Sequence, residues 1–120
     1  MKTKVPKWMT SIKSGFSEYQ KMAIKTAIYD QKVGLEYTAL GLAGETGEYV
    51  EKVKRLIRGD ININEEMTKQ MAMELGDILW YCANCANVLG IDFGTIALQN
   101  IEKLKDRKKR NVLKGKGDNR

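Results

Sequence analysis

Four carboxylates in two short clusters, Glu45-Thr46-Gly47-Glu48 and Glu74-Leu75-Gly76-Asp77, are the residues of this chain whose type and spacing could do chemistry. Within each cluster the acids stand at i and i+3, which on an α-helix places them on one face, about 60° apart around the axis. Both clusters lie about equally far from Ile61, in the most turn-like stretch between them. A chain that folds back there as an antiparallel helical hairpin brings the two pairs to the same height. Four gathered carboxylates repel and raise one another's pKa unless a cation stands among them. Coordination by carboxylates alone suits Mg²⁺, with Mn²⁺ as a substitute, rather than zinc. Magnesium keeps waters and shares its remaining positions with phosphates, so the expected chemistry is metal-assisted attack of water on a phosphate-bearing substrate. A carboxylate not fully engaged with metal could orient and deprotonate that water.

Each pair alone reads more readily as ordinary acids on a solvated helix face, where i, i+3 acids are common. Together they read differently, because Glu74 and Asp77 lie in a segment, Met71 to Leu89, that has no other charged residue. The same faces continue one step further, to Lys52 at i+7 from Glu45 and Tyr81 at i+7 from Glu74, adding a cation and a phenol. Lys52 also has an i, i+4 partner in Glu48, and Tyr81 also fits a core position.

The rest of the composition removes alternatives. There is no histidine, which excludes Ser-His-Asp and Cys-His catalysis and the Glu-x-x-His sites of di-iron bundles. Two cysteines, Cys82 and Cys85, offer too few ligands for zinc and, at i, i+3 in a helix, read as small buried apolar residues. At 120 residues, 42% of them apolar, the chain reads as one domain spanning 1–120, with no run of 18 apolar residues and no apolar signal core. A cytoplasmic protein that does not contact membrane is expected.

The net charge of +6 is gathered at one end. Residues 1–99 hold 12 basic and 12 acidic side chains, whereas residues 100–120 hold nine basic against three acidic. Such a tail serves either as an arm for nucleic acid or as a cationic flap for a phosphate-bearing small molecule. Aromatic residues are absent after Phe93, so the tail lacks a stacking platform for single strands and nucleic acid is the less favoured partner.

The elements that must position these residues are helical throughout. Pro6 is the only proline. Residues 1–14 read as a loose lead-in with Trp8 and Met9 as anchors, and Ser17 with Gln20 as a capping box opening a helix to about residue 31. A second helix is expected from about Leu35 to Ile57, with Leu40, Ala43, Gly47, Val50, Val53 and Ile57 as its inward stripe. Gly41, Gly44 and Gly47 each cost up to about 1 kcal/mol against alanine inside a helix, which predicts close approach of another segment there. Asn64 is placed to cap a third helix that ends near Gly90, and Asp92 to cap a fourth that fades into the basic run, leaving 111–120 as a flexible tail. The fold class predicted is all-α, a four-to-five-helix bundle whose hairpin carries the acids and whose packing is completed by oligomerisation.

With its 25-residue gap between the two clusters, the pattern Gly44-Glu45-Thr46-Gly47-Glu48 … Glu74-Leu75-Gly76-Asp77-Ile78-Leu79-Trp80-Tyr81 resembles the signature of the MazG-like, all-α nucleoside triphosphate pyrophosphohydrolases. The likeness extends to Phe16-x-x-Tyr19-Gln20, to Asn100-Ile101-Glu102-Lys103-Leu104 and to Lys114-Gly115-Lys116-Gly117-Asp118-Asn119-Arg120, covering roughly residues 16–120. The resemblance implies Mg²⁺-dependent hydrolysis of (deoxy)nucleoside triphosphates to monophosphate and pyrophosphate. It implies Glu45, Glu48, Glu74 and Asp77 as metal ligands, with Glu45 also positioning the water. Tyr81, Asn100 and Lys103 fall where substrate contacts are expected; Lys52 and Arg107 join them on geometry and charge. Family members assemble as dimers or tetramers, so a homodimer or homotetramer is implied. A helical nucleic-acid-binding module using the basic tail is the alternative function.

Overall fold

The structure, a computed structural model, describes residues 4–120. Its regular elements are all helical: Lys7–Lys25 (α1), Gly34–Arg58 (α2), Glu65–Val88 (α3) and Phe93–Lys109 (α4), with one 3-10 turn at Gln31–Val33. The all-α class is as expected, on four helices. α2 and α3 form an antiparallel hairpin, while α1 and α4 pack against each other and α3 joins the two pairs through α1. α2 comes within packing distance of neither α1 nor α4.

The hairpin turns where the sequence places it. Gly34 faces Val88, Gly41 faces Tyr81 and Lys52 pairs with Glu74, and the midpoints of these pairs fall at or near Ile61. Gly59 ends α2 in the left-handed region, φ 83°, which a residue with a Cβ adopts only at a cost. Asn64 Oδ1 then accepts the Met67 N–H at 2.8 Å and starts α3. At Gly41 a Cβ would overlap the Tyr81 ring, so the expected close approach is there, against an aromatic ring. Gly44 and Gly47 have nothing within 4 Å of a Cβ and meet no such neighbour in this chain.

α1 starts ten residues before the expected capping box. Pro6, not Ser17, precedes the first helical turn, consistent with a ring that fixes φ and needs no N–H partner. Residues 7–14 of the expected lead-in are therefore helical, residues 4–6 are not, and residues 1–3 lie outside the described residues. The Ser17 hydroxyl instead sits 2.7 Å from Lys13 O and 2.9 Å from Asp92 Oδ2. Asp92 in turn accepts from Thr95 N at 3.0 Å and caps α4 as expected.

The junction of α1, α3 and α4 is built on one buried amide. Gln20 Nε2 donates to Ala83 O at 3.2 Å and Ile91 O at 3.1 Å, and its Oε1 accepts the Phe93 N–H at 3.0 Å. That last donor belongs to the first turn of α4 and has no partner within its own helix. Around this amide lie the core residues Ala23, Ala83, Ala86 and Phe93, with Phe16, Tyr19, Leu79, Trp80 and Cys82 packed on them. Phe16 meets Phe93 edge-on at 5.3 Å.

The stripe expected to face inward on α2 is largely outside. Leu40, Val50 and Ile57 are 72%, 57% and 83% exposed, because the face turned to α3 is the one bearing Thr38, Gly41 and Lys52. The basic tail also differs from a loose flap. Arg107, 4% exposed, donates to Asp118 O at 2.8 Å and to its carboxylate at 3.3 Å. Arg120 donates to Val112 O and Leu113 O, both at 3.1 Å, and Arg110 donates to Arg120 O at 2.8 Å. Residues 111–120 are thus tied back to the end of α4 by Arg107 and Arg110, while Arg120 bonds within the segment itself.

Candidate active site

One oxygen each of Glu45, Glu48 and Glu74 lies within 4.8 Å of the others. Two turns of geometry bring this about. The i, i+3 spacing puts Glu45 and Glu48 on one face of α2, and the turn at residues 59–64 sets Glu74 of α3 opposite them. Asp77, one turn further along α3, stands outside this group, although its charge acts on Glu45, Tyr81 and Tyr19. Three of the four expected ligands are therefore drawn together and the fourth flanks them.

Charge in the cluster is unevenly compensated. Lys52 Nζ lies 3.0 Å from Glu74 Oε1, an interhelical ion pair with side chains only 20% and 14% exposed. Glu48, the i, i+4 partner anticipated for Lys52, does not receive it. The lysine contact holds the Glu74 carboxyl below the usual carboxylate range, more than burial raises it. Glu45 goes the other way, pushed up to about 7 chiefly by burial and then by the charges of Glu48 and Asp77 and by its contact with Glu74. Glu45 Oε2 and Glu74 Oε2 are both shut off from solvent with no hydrogen-bond partner. Carboxylate oxygens so placed are costly unless a cation meets them.

The donor set is all oxygen, which fits a hard divalent cation and offers no imidazole or thiolate to a softer one. The two partnerless oxygens and the shared 4.8 Å neighbourhood make Glu45, Glu48 and Glu74 the residues able to hold it, with Asp77 at its margin.

Aromatic rings cluster on the Tyr81 side of the acids. The Tyr81 ring stands 6.4 Å from Tyr37 and 4.9 Å from Trp80, and Tyr37 stacks on Tyr29 at 5.0 Å. Burial pushes the Tyr81 phenol up, with Tyr37 and then the Glu45 and Asp77 charges adding to it. Tyr19 is raised by burial and by Asp77. The sequence singled out Tyr81 but not Tyr37, whose only signal is its position four residues before Gly41, nor Tyr19 as a neighbour of the acids.

The remaining expected contacts lie elsewhere. Asn100, Lys103 and Arg107 are on α4, which does not reach α2. Lys103 and Arg107 both turn to Asp118, whose carboxyl they hold below its usual range, Lys103 more strongly than Arg107.

A helical hairpin that gathers carboxylates from both arms is the arrangement of an all-α protein able to hold a divalent cation. The description "MazG nucleotide pyrophosphohydrolase domain" matches residues 34–112, about two thirds of the chain and the whole of the hairpin, and the chain belongs to that family. It is also similar to the Gene 37 protein of Mycobacterium phage L5, 43% identical over 109 residues that cover 85% of this chain and 96% of that protein. No solved structure matches the chain. Among the described residues no helix is long and apolar enough to cross a membrane.

Proposed function

We propose that the protein hydrolyses (deoxy)nucleoside triphosphates to the monophosphate and pyrophosphate, with Mg²⁺, or Mn²⁺ in its place, held by Glu45, Glu48, Glu74 and Asp77. The observation that carries the reading is the pair of solvent-free, partnerless oxygens on Glu45 and Glu74, inside a three-carboxylate cluster contributed by both arms of the hairpin. Bound there, the cation supplies neutralisation of phosphate charge and a water of lowered pKa. Glu45 orients the attacking water: its carboxylate has no hydrogen-bond donor of its own to occupy it, unlike Glu74, which has Lys52. Tyr81, close enough to feel the charges of Glu45 and Asp77, contacts the substrate.

Asn100 and Lys103 serve as substrate contacts where a second copy carries α4 to the acidic cluster; Arg107 is spent on the tail. A homodimer or homotetramer is supported by the shape of the single chain. Its radius of gyration is 17.6 Å, against roughly 14 Å for a compact chain of this length, and its extents are 60 × 40 × 28 Å. The exposed stripe of Leu40, Val50 and Ile57 on α2 is the face such a partner would cover. Binding of nucleic acid by the tail is the less favoured reading, since Arg107, Arg110 and Arg120, among its nine basic side chains, bond within the chain. Free Cys82 and Cys85 are in keeping with a cytoplasmic setting.

Purified protein given Mg²⁺ and a panel of ribo- and deoxyribonucleoside triphosphates should release pyrophosphate, and Glu48→Gln should abolish the release. Failure to turn over any triphosphate would refute the proposal.

A further inference from the structure

We propose that Lys52 is the resident counter-ion of the acidic cluster: its ammonium holds Glu74 while no divalent ion is bound and releases it when one is. The inference rests on the reading of Glu45, Glu48 and Glu74 as metal ligands. Its observations are geometric. Lys52 Nζ reaches across the hairpin to Glu74 Oε1 at 3.0 Å, between residues 22 apart in sequence, with side chains 20% and 14% exposed. It is therefore unlike the solvated pairs on the same helices, such as Lys54 with Glu51 or Lys69 with Glu65, whose side chains are more than half exposed.

The cluster brings three carboxylates within 4.8 Å of one another with this one ammonium among them, leaving Glu45 Oε2 and Glu74 Oε2 without partners. One monovalent charge relieves part of the repulsion and keeps the hairpin closed. A divalent ion on the same carboxylates would then share Glu74 with an ammonium only a few ångströms away. Even at the dielectric of water, a single and a double positive charge about 5 Å apart repel by an amount equal to roughly tenfold in affinity. Of the two cations, the lysine is the one that can leave, since its flexible stem carries a strongly hydrated head that water accepts. Once released it stands on α2 one turn beyond Glu48, unpaired, hydrated and free for a phosphate oxygen. Lys52 thus becomes a substrate contact only after the cluster is loaded, which orders metal before full engagement of the triphosphate.

The test uses the unaltered protein without substrate. A limiting dose of acetic anhydride, read lysine by lysine by peptide mass spectrometry, is applied in chelator and in saturating Mn²⁺ or Mg²⁺, with Lys21, Lys54 and Lys69 as exposed references. Labelling of Lys52 should rise several-fold with the ion while the references stay constant. Calorimetric titration of the same ions should show Lys52→Met binding more tightly than wild type, by up to about tenfold, and Lys52→Arg binding like wild type. Lys52 labelling that is unchanged or lower, in a protein whose thermal midpoint the ion does raise, overturns the inference. So does weaker binding by Lys52→Met, which would make Lys52 a positioning residue for a liganding Glu74. If labelling opens but no triphosphate is hydrolysed, the inference stands and the hydrolase reading falls; if no divalent ion binds at all, both fall.

Discussion

Replacing Gln20 by leucine tests whether one amide fixes the junction on which the hairpin stands. Leucine is close to glutamine in volume, so Gln20→Leu removes hydrogen bonds with little cavity. The side chain is 7% exposed and serves three backbone groups, Ala83 O, Ile91 O and Phe93 N. The Phe93 N–H suffers most, because at the first turn of α4 it has no helical acceptor. The Ile91 carbonyl lies in the turn between α3 and α4, whereas Ala83 O sits within α3, where the helix supplies a donor of its own. Leaving a buried backbone group unsatisfied costs about 1–3 kcal/mol, so the two exposed to loss give roughly 2–6 kcal/mol. With an unfolding entropy near 2.1 cal/mol/K per residue, each kcal/mol lowers the midpoint of a chain this long by roughly 4 °C. The expected drop is about 8–24 °C, read by circular dichroism in chelator and, for the free energy, by urea titration with an unchanged slope. Gln20→Glu keeps the acceptor for Phe93 N but loses the donor and buries a charge, so it should be no more stable than the leucine variant at pH 7. A loss below about 1 kcal/mol for Gln20→Leu would refute the argument, showing that water or a relaxed turn satisfies these groups.

Further outcomes follow from the same contacts. Gly94 lies so close to α1 that a Cβ would overlap Lys13 O and the Ser17 hydroxyl, so Gly94→Ala should cost about 1–3 kcal/mol; no loss in urea titration would mean that α1 and α4 separate freely. Glu45 has its folded pKa raised to about 7 from 4.5, so the folded state holds the proton more tightly. Its contribution to metal-free stability therefore falls as pH rises from about 4.5 to 7 and is flat above; Glu45→Gln should show a shallower decline over that range, and an identical slope would refute the shift. Leu40→Lys combined with Ile57→Lys puts charge on the exposed stripe of α2 and should lower the mass found by light scattering without unfolding the hairpin, whereas an unchanged mass would place any partner elsewhere.

The boundaries of α2, α3 and α4 were legible because local chemistry sets them. Asn64 and Asp92 cap their helices with their own carbonyl or carboxylate oxygens, and Gly59 supplies a left-handed stop. α1 was misread at its start because Ser17 and Gln20 imitate a capping box, while both side chains are used on α3 and α4, at distances no local pattern reports. The inward stripe of α2 was misread for a related reason. Periodicity identifies an apolar face but not which neighbour it meets, and here α3 takes the opposite one.

From the sequence alone came the two acidic pairs, the oxygen-only chemistry that the absence of histidine enforces, and their meeting across a turn at residue 61, since helical spacing and chain symmetry are local quantities. Tertiary structure decided the rest. It drew Glu45, Glu48 and Glu74 together and left Asp77 beside them, gave Lys52 to Glu74 rather than Glu48, and folded the tail's Asp118 onto Lys103 and Arg107 of α4. Those outcomes depend on how far apart and at what rotation two helices pack, and the sum of many weak side-chain contacts sets both.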